Sequence, residues 1–160
     1  MTRPGGMRRT TWTDLVLPFV VVAGVVYLLL RFSYDSLPPL GFIVPVPLAV
    51  LAVVEGVLAR RVRAAVAHDP DAKPMAAIVI ARCVALGKAS ALVGAGVAGA
   101  AVGLVLRVLP DIGTVSAADH DATVGGLLLL AAILVTVAGI VLERSGIDPG
   151  SETRRLSGTN

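Results

Sequence analysis

Apolar positions along this chain gather into four long runs, at 15–30, 37–58, 89–106 and 122–142, divided by short charged or proline-marked breaks. A helix crossing the hydrocarbon core of a bilayer needs roughly 20 apolar residues, with about 17–25 tolerated. Three runs meet that length directly. The first meets it once Thr11, Trp12, Thr13 and Asp14 are counted as an interfacial start. The pattern therefore predicts four spanning helices, at about 12–30, 38–58, 88–107 and 122–142.

Breaks inside and between the runs set the expected connections. Pro18 falls in the first turns of the first helix, where a missing N–H does least harm. The link after Arg31 is short, which predicts antiparallel packing of the first two helices. Pro38, Pro39, Pro45 and Pro47 make the outer half of the second span irregular, and only from Leu48 is it free of breakers. Helix-compatible sequence then continues through Ala67, and the stretch 68–74, with Pro70 and Pro74, is a turn. From Met75 to Arg107 there is no strong breaker, a length of about 50 Å at 1.5 Å per residue. That exceeds the bilayer core, so residues 75–87 are expected to pair with 59–67 as a cytoplasmic helical hairpin, with Lys88 marking the membrane crossing. Ser116 and Asp119 have the spacing of a reciprocal helix cap, and Gly146 followed by Pro149 suits a helix end. Residues 1–11 form a basic N-terminal tail and residues 145–160 a polar, disordered C-terminal tail around the transmembrane domain 12–144.

Composition strengthens the membrane assignment. Charged residues are 16% of the 160, well below the roughly 25% of soluble domains. The distribution of the 14 Lys and Arg residues sets the orientation. Arg31 and Arg107 fall on one side. The other twelve, Arg3, Arg8, Arg9, Arg60, Arg61, Arg63, Lys73, Arg82, Lys88, Arg144, Arg154 and Arg155, fall on the opposite side. The positive-inside rule then places both termini in the cytoplasm. Asp111, Asp119 and Asp121 make the outer connection acidic, and Trp12, Phe32 and Tyr34 suit an interfacial belt. Arg8 and Arg9 before an apolar run resemble a signal sequence, but no small-residue cleavage motif follows, so the first run is read as an uncleaved anchor. Cys83 is the single cysteine and reads as a packing residue.

In the third helix Gly87, Ala91, Ala95, Gly99 and Gly103 recur every fourth residue, with Ser90, Gly94 and Ala98 beside them. Small residues at this spacing let backbones approach closely, the main attraction between helices in lipid. The stripe predicts intramolecular packing, with a homodimer face as the alternative, and Gly125, Gly126 and Gly139 are its candidate counterparts.

Few polar groups interrupt the spans. Register across the 68–74 turn places Glu55 level with Lys88, which predicts an interhelical ion pair. Its proximity to Arg60 favours a structural bridge over a transport role. The inner basic loop of Arg60, Arg61, Arg63 and Lys73 orients the chain and faces anionic headgroups. Asp119, His120 and Asp121 offer ligand atoms, but three neighbours without a second cluster do not close a metal site. No phosphate loop, dinucleotide fingerprint, metalloprotease helix or nucleophile elbow occurs, and no basic stripe interleaved with aromatics suggests nucleic acid. No cofactor is expected.

The Arg60-Arg61-Val62-Arg63 segment, the stretches from Ile80 to Arg82 and from Leu86 to Leu92, and the four-span layout resemble a family of small actinobacterial membrane proteins. That family is assigned only to a domain of unknown function and is often encoded beside folate-biosynthesis genes. The resemblance covers about 15–142 and implies no catalytic residue; in it Lys88 and Ser90 gain interest as site candidates. The combined expectation is an all-α, polytopic transmembrane four-helix bundle of the plasma membrane with both ends inside. Its expected role is that of a non-enzymatic accessory or interaction protein, with a membrane-protein partner or a second copy of itself. The alternative is a small transporter or channel subunit using Glu55 and Lys88.

Overall fold

A computed structural model describes residues 10–33, 41–67 and 75–146. All regular structure among them is helical: α1 (Trp12–Ser33), α2 (Val46–Val66), α3 (Ala77–Val108) and α4 (Ser116–Ser145), with one 3-10 turn at Leu109–Asp111. By length and composition, α1, α3 and α4 are apolar enough to cross a membrane. The 68–74 turn with Lys73, most of the N-terminal tail and nearly all of the C-terminal tail lie outside the described residues.

Local chemistry explains where the helices begin. α1 starts on a cap supplied by Asp14 in its first turn. The Thr11 amide donates to Asp14 Oδ2 at 2.9 Å, and the Thr11 hydroxyl donates to the same oxygen at 2.6 Å. The cap expected at Ser116 and Asp119 does not form. Val115 precedes α4 without a side-chain cap, and Asp119 Oδ1 instead accepts the Gly113 amide at 2.9 Å. That bond closes a tight corner in which Gly113 adopts a positive φ of 80°. α2 starts at Val46 rather than near 38. Gly41 to Val44 form turns, Pro45 caps the helix, and Pro47 sits in its first turn. Proline is tolerated there because those N–H groups have no helical partner.

The packing order departs from the sequence expectation. α3 packs against both α1 and α4, α2 packs on α4, and α1 makes no contact with α2. The helices thus form a row, α1–α3–α4–α2, and the predicted α1–α2 neighbour pair is wrong. Glycines account for the order. A methyl group added at Gly87 would lie 2.6 Å from the Gly139 carbonyl oxygen of α4, and one at Gly139 would lie 2.6 Å from the Gly87 carbonyl. One at Gly103 would meet the Ala23 carbonyl of α1 at 2.7 Å, and one at Gly99 would overlap the backbone of Phe19. Four residues advance a helix by slightly more than one turn, so a stripe repeating every four rotates by about 40° per step. Across Gly87, Ala91, Ala95, Gly99 and Gly103 that rotation carries the small-residue surface from α4 to α1. All five residues are buried. The stripe therefore builds α3 into the centre of the row.

Neighbours in the row run alternately parallel and antiparallel. Leu15 packs with Ala91 and Ala95, and Leu30 packs against the cluster of Leu104, Val108 and Ala118, so α1 and α3 run in the same direction. Gly87 meets Gly139 whereas Gly125 meets Leu104 and Val105, so α3 and α4 run in opposite directions. One end of the bundle gathers the start of α1, the ends of α2 and α4, and the start of α3. There the Thr10 amide donates to Glu143 Oε1 at 2.8 Å. Ala59 and Val62 of α2, Cys83 of α3 and Leu142 of α4 form one buried cluster at that end. The expected two-helix hairpin extension is thus a three-helix junction, because α4 runs three residues past its predicted end and enters between the other two.

Candidate functional site

Charge is distributed unequally over the two ends of the row. Arg60, Arg61 and Arg63 on α2, Arg82 and Lys88 on α3, and Arg144 on α4 lie toward the end that gathers the α2 and α4 C-termini. Arg31 and Arg107 lie toward the other, where Arg107 pairs with Asp111 at 3.2 Å. The carbonyl ends of α2 and α4 carry partial negative charge, which favours the arginines in their last turns. At the opposite end His120 stacks edge-on against Phe42, with ring centres 4.6 Å apart.

Glu55 is the most enclosed charged-type residue, with 0% of its surface exposed. The buried Ser90 hydroxyl of α3 faces it, yet neither carboxylate oxygen has a hydrogen-bond partner among the described residues. Among the described residues no hydrogen bond links Glu55 to Lys88, the residue expected to form an ion pair with it. The register argument required α2 and α3 to be direct neighbours along the span. α2 packs mainly on α4, and the α3 side chain that reaches Glu55 is that of Ser90. Two further carboxylates are buried, Asp121, expected from sequence in an exposed acidic connection, and Glu143, which the sequence does not single out. Each stands beside a helix end in sequence, which reads as solvated until α4 is seen to extend past both.

Between α2 and α4 runs a groove of about 1310 Å³. Ala49, Ala52 and Gly56 of α2 face Leu134, Ala138 and Val141 of α4 across it, and Arg60, Arg63 and Arg144 lie toward one end, with Val66, Ala67 and Ser145 beyond them. The groove thus brings together two members of the predicted basic loop. Arg61 is exposed and outside the groove lining, and Lys73 lies outside the described residues. From sequence Arg144 belongs only to the set of basic residues on the inner side. Its partnership with Arg60 and Arg63 follows from the parallel α2–α4 packing, which no linear pattern announces. Among the described residues no group of three or more His, Cys, Asp or Glu side chains is arranged to hold a metal ion.

These features define an all-α bundle of membrane-compatible helices with a polarised basic end. A family model described as "Protein of unknown function (DUF3180)" matches residues 15–149, and the chain belongs to that family. No curated protein matches the chain. No solved structure matches it either.

Proposed function

We propose that this chain is a four-span protein of the plasma membrane, with its basic end cytoplasmic, that serves as a non-enzymatic accessory or interaction partner. α2 as the fourth span is supported by its geometry. It rises about 20 Å from Val46 to Ala59 before its first arginine, and the apolar turns at 41–45 add to that length toward the roughly 30 Å core. Its polar residues spare the lipid: Glu55 is enclosed by protein, and the three arginines cluster in the last two turns, where long side chains reach the interface. The distribution of Arg60, Arg61, Arg63, Arg82, Lys88 and Arg144 supports the orientation. The headgroups facing them are those of an anionic leaflet.

The observation that carries the interaction role is the open face of α2. Val50, Val54 and Val57 are all exposed, and with Arg61 they share one helical side turned away from α4. That spacing is the one with which a spanning helix meets another. Photo-reactive residues at Val50 and Val57, tested in native membranes, are expected to give one dominant protein adduct, while the same residue at Val16 on α1 does not. Adducts with lipid alone at all three positions would overturn the role.

A second reading, a small transporter or channel subunit, is favoured by Glu55 itself, a fully buried carboxylate facing the Ser90 hydroxyl. Glu55→Gln separates the two. Loss of ion or proton flux with unchanged folded yield supports transport, and unchanged flux excludes it.

A further inference from the structure

The α2–α4 groove has a polarity that the accessory role does not use. Its walls are small and apolar, and its volume of about 1310 Å³ exceeds the roughly 300–1,000 Å³ of ordinary small-molecule sites. Its charge lies toward one end, with only Val66, Ala67 and Ser145 beyond it, where guanidinium groups from two helices converge, Arg60 and Arg63 from α2 and Arg144 from α4. Nearby acids do not offset them. Glu55 is buried in the protein, and Glu143 accepts the Thr10 amide. Among the described residues no carboxylate pairs with any of the three arginines.

The length of the apolar part identifies the occupant. From Arg60 back to Ala49 the α2 wall rises about 16 Å, and from Arg144 back to Leu134 the α4 wall rises about 15 Å. Half of a roughly 30 Å bilayer core is also about 15 Å. A free anion would use the arginines and leave the apolar wall unused. A partner helix would use the wall but would have to set an acid or a phosphate against three cations. An anionic phospholipid satisfies both features at once.

We propose that the groove between α2 and α4 is a binding site for one anionic phospholipid of the basic-side leaflet. Arg60, Arg63 and Arg144 hold its phosphate, and its acyl chains lie along Ala52, Gly56 and Val141. Guanidinium groups suit this task because their planar forks bind phosphate oxygens in pairs. The proposal rests on the four-span reading, since it requires α2 to share the depth of α4, but not on the accessory role.

The test is native mass spectrometry of the full chain in detergent, titrated with phosphatidylglycerol or phosphatidylcholine, with inorganic phosphate as a competing arm. One phosphatidylglycerol per chain is expected, with phosphatidylcholine binding weaker. Arg60→Gln and Arg144→Gln should each weaken the anionic lipid about fivefold. Arg61→Gln, outside the groove lining, should leave it unchanged. Gly56→Leu should abolish binding of both lipids while the chain stays folded, because a Cβ there meets no atom within 4 Å and the side chain extends into the groove. Equal retention of lipid by the arginine variants, or by Gly56→Leu, would overturn the proposal. Displacement by inorganic phosphate at equal concentration would reduce the site to a simple anion site. A protein adduct from a photo-reactive residue at Gly56 would assign the groove to a partner helix. Accessibility labelling of Gly41 and Ala67 separates these outcomes from failure of the four-span reading, which alone would place both on one side.

Discussion

At the residue scale, glycine carries most of the specificity. Gly87 and Gly139 touch each other's backbones, so neither neighbour can yield to a larger side chain. Gly87→Ala is expected to cost about 1–3 kcal/mol, the usual range for overpacking a tight contact, seen as a lower midpoint in thermal unfolding in detergent. Gly24→Ala, where the new methyl group meets open space, should leave the midpoint unchanged or slightly raised. Glu55 follows the opposite logic. Among the described residues its oxygens have no well-formed hydrogen bond beyond the facing Ser90 hydroxyl, so Glu55→Met relieves a poorly satisfied buried group and should raise stability by about 1–3 kcal/mol. A charge swap, Glu55→Lys with Lys88→Glu, should not restore wild-type yield; restoration would mean that the two residues do pair. The existence of Glu55 as a lone acid among apolar residues was plain in the sequence. Its surroundings were not, because they depend on which helix stands beside α2.

At the element scale, helix existence was legible and helix adjacency was not. Long uninterrupted apolar runs announced α1, α3 and α4, and the proline cluster correctly warned of a late, irregular entry to α2. The small-residue stripe was also visible, but a repeat of four says only that close contacts exist. Its slow rotation around α3, which assigns Gly87 to α4 and Gly99 to α1, appears only once the partners are placed. A short link was taken to make α1 and α2 neighbours, whereas the backbone approach offered by α3 outweighed proximity in sequence. Pairs of cysteines in a Cys83→Ser background check this order. Leu15→Cys with Ala91→Cys, which share a buried cluster, should join through a short bismaleimide. Leu30→Cys with Leu48→Cys should not, since α1 and α2 do not touch. Peptide mass spectrometry reads both.

At the scale of the whole molecule, the row of helices and the lopsided charge belong together. An α1–α3–α4–α2 row leaves α2 with one main neighbour, and so creates both an open apolar face and a groove with arginines toward one end. The charge asymmetry could be counted along the sequence. The groove could not, because it needs the C-terminal turns of two helices far apart in the chain to lie side by side. The central claim is that α2 crosses the bilayer as the fourth span with the basic end inside. In intact cells expressing single-cysteine variants on the Cys83→Ser background, a membrane-impermeant maleimide should label Gly41→Cys and the exposed Val115→Cys from outside. Ala67→Cys should be labelled only after permeabilisation. If Gly41→Cys and Ala67→Cys react from the same side, α2 does not span the membrane and the claim is wrong.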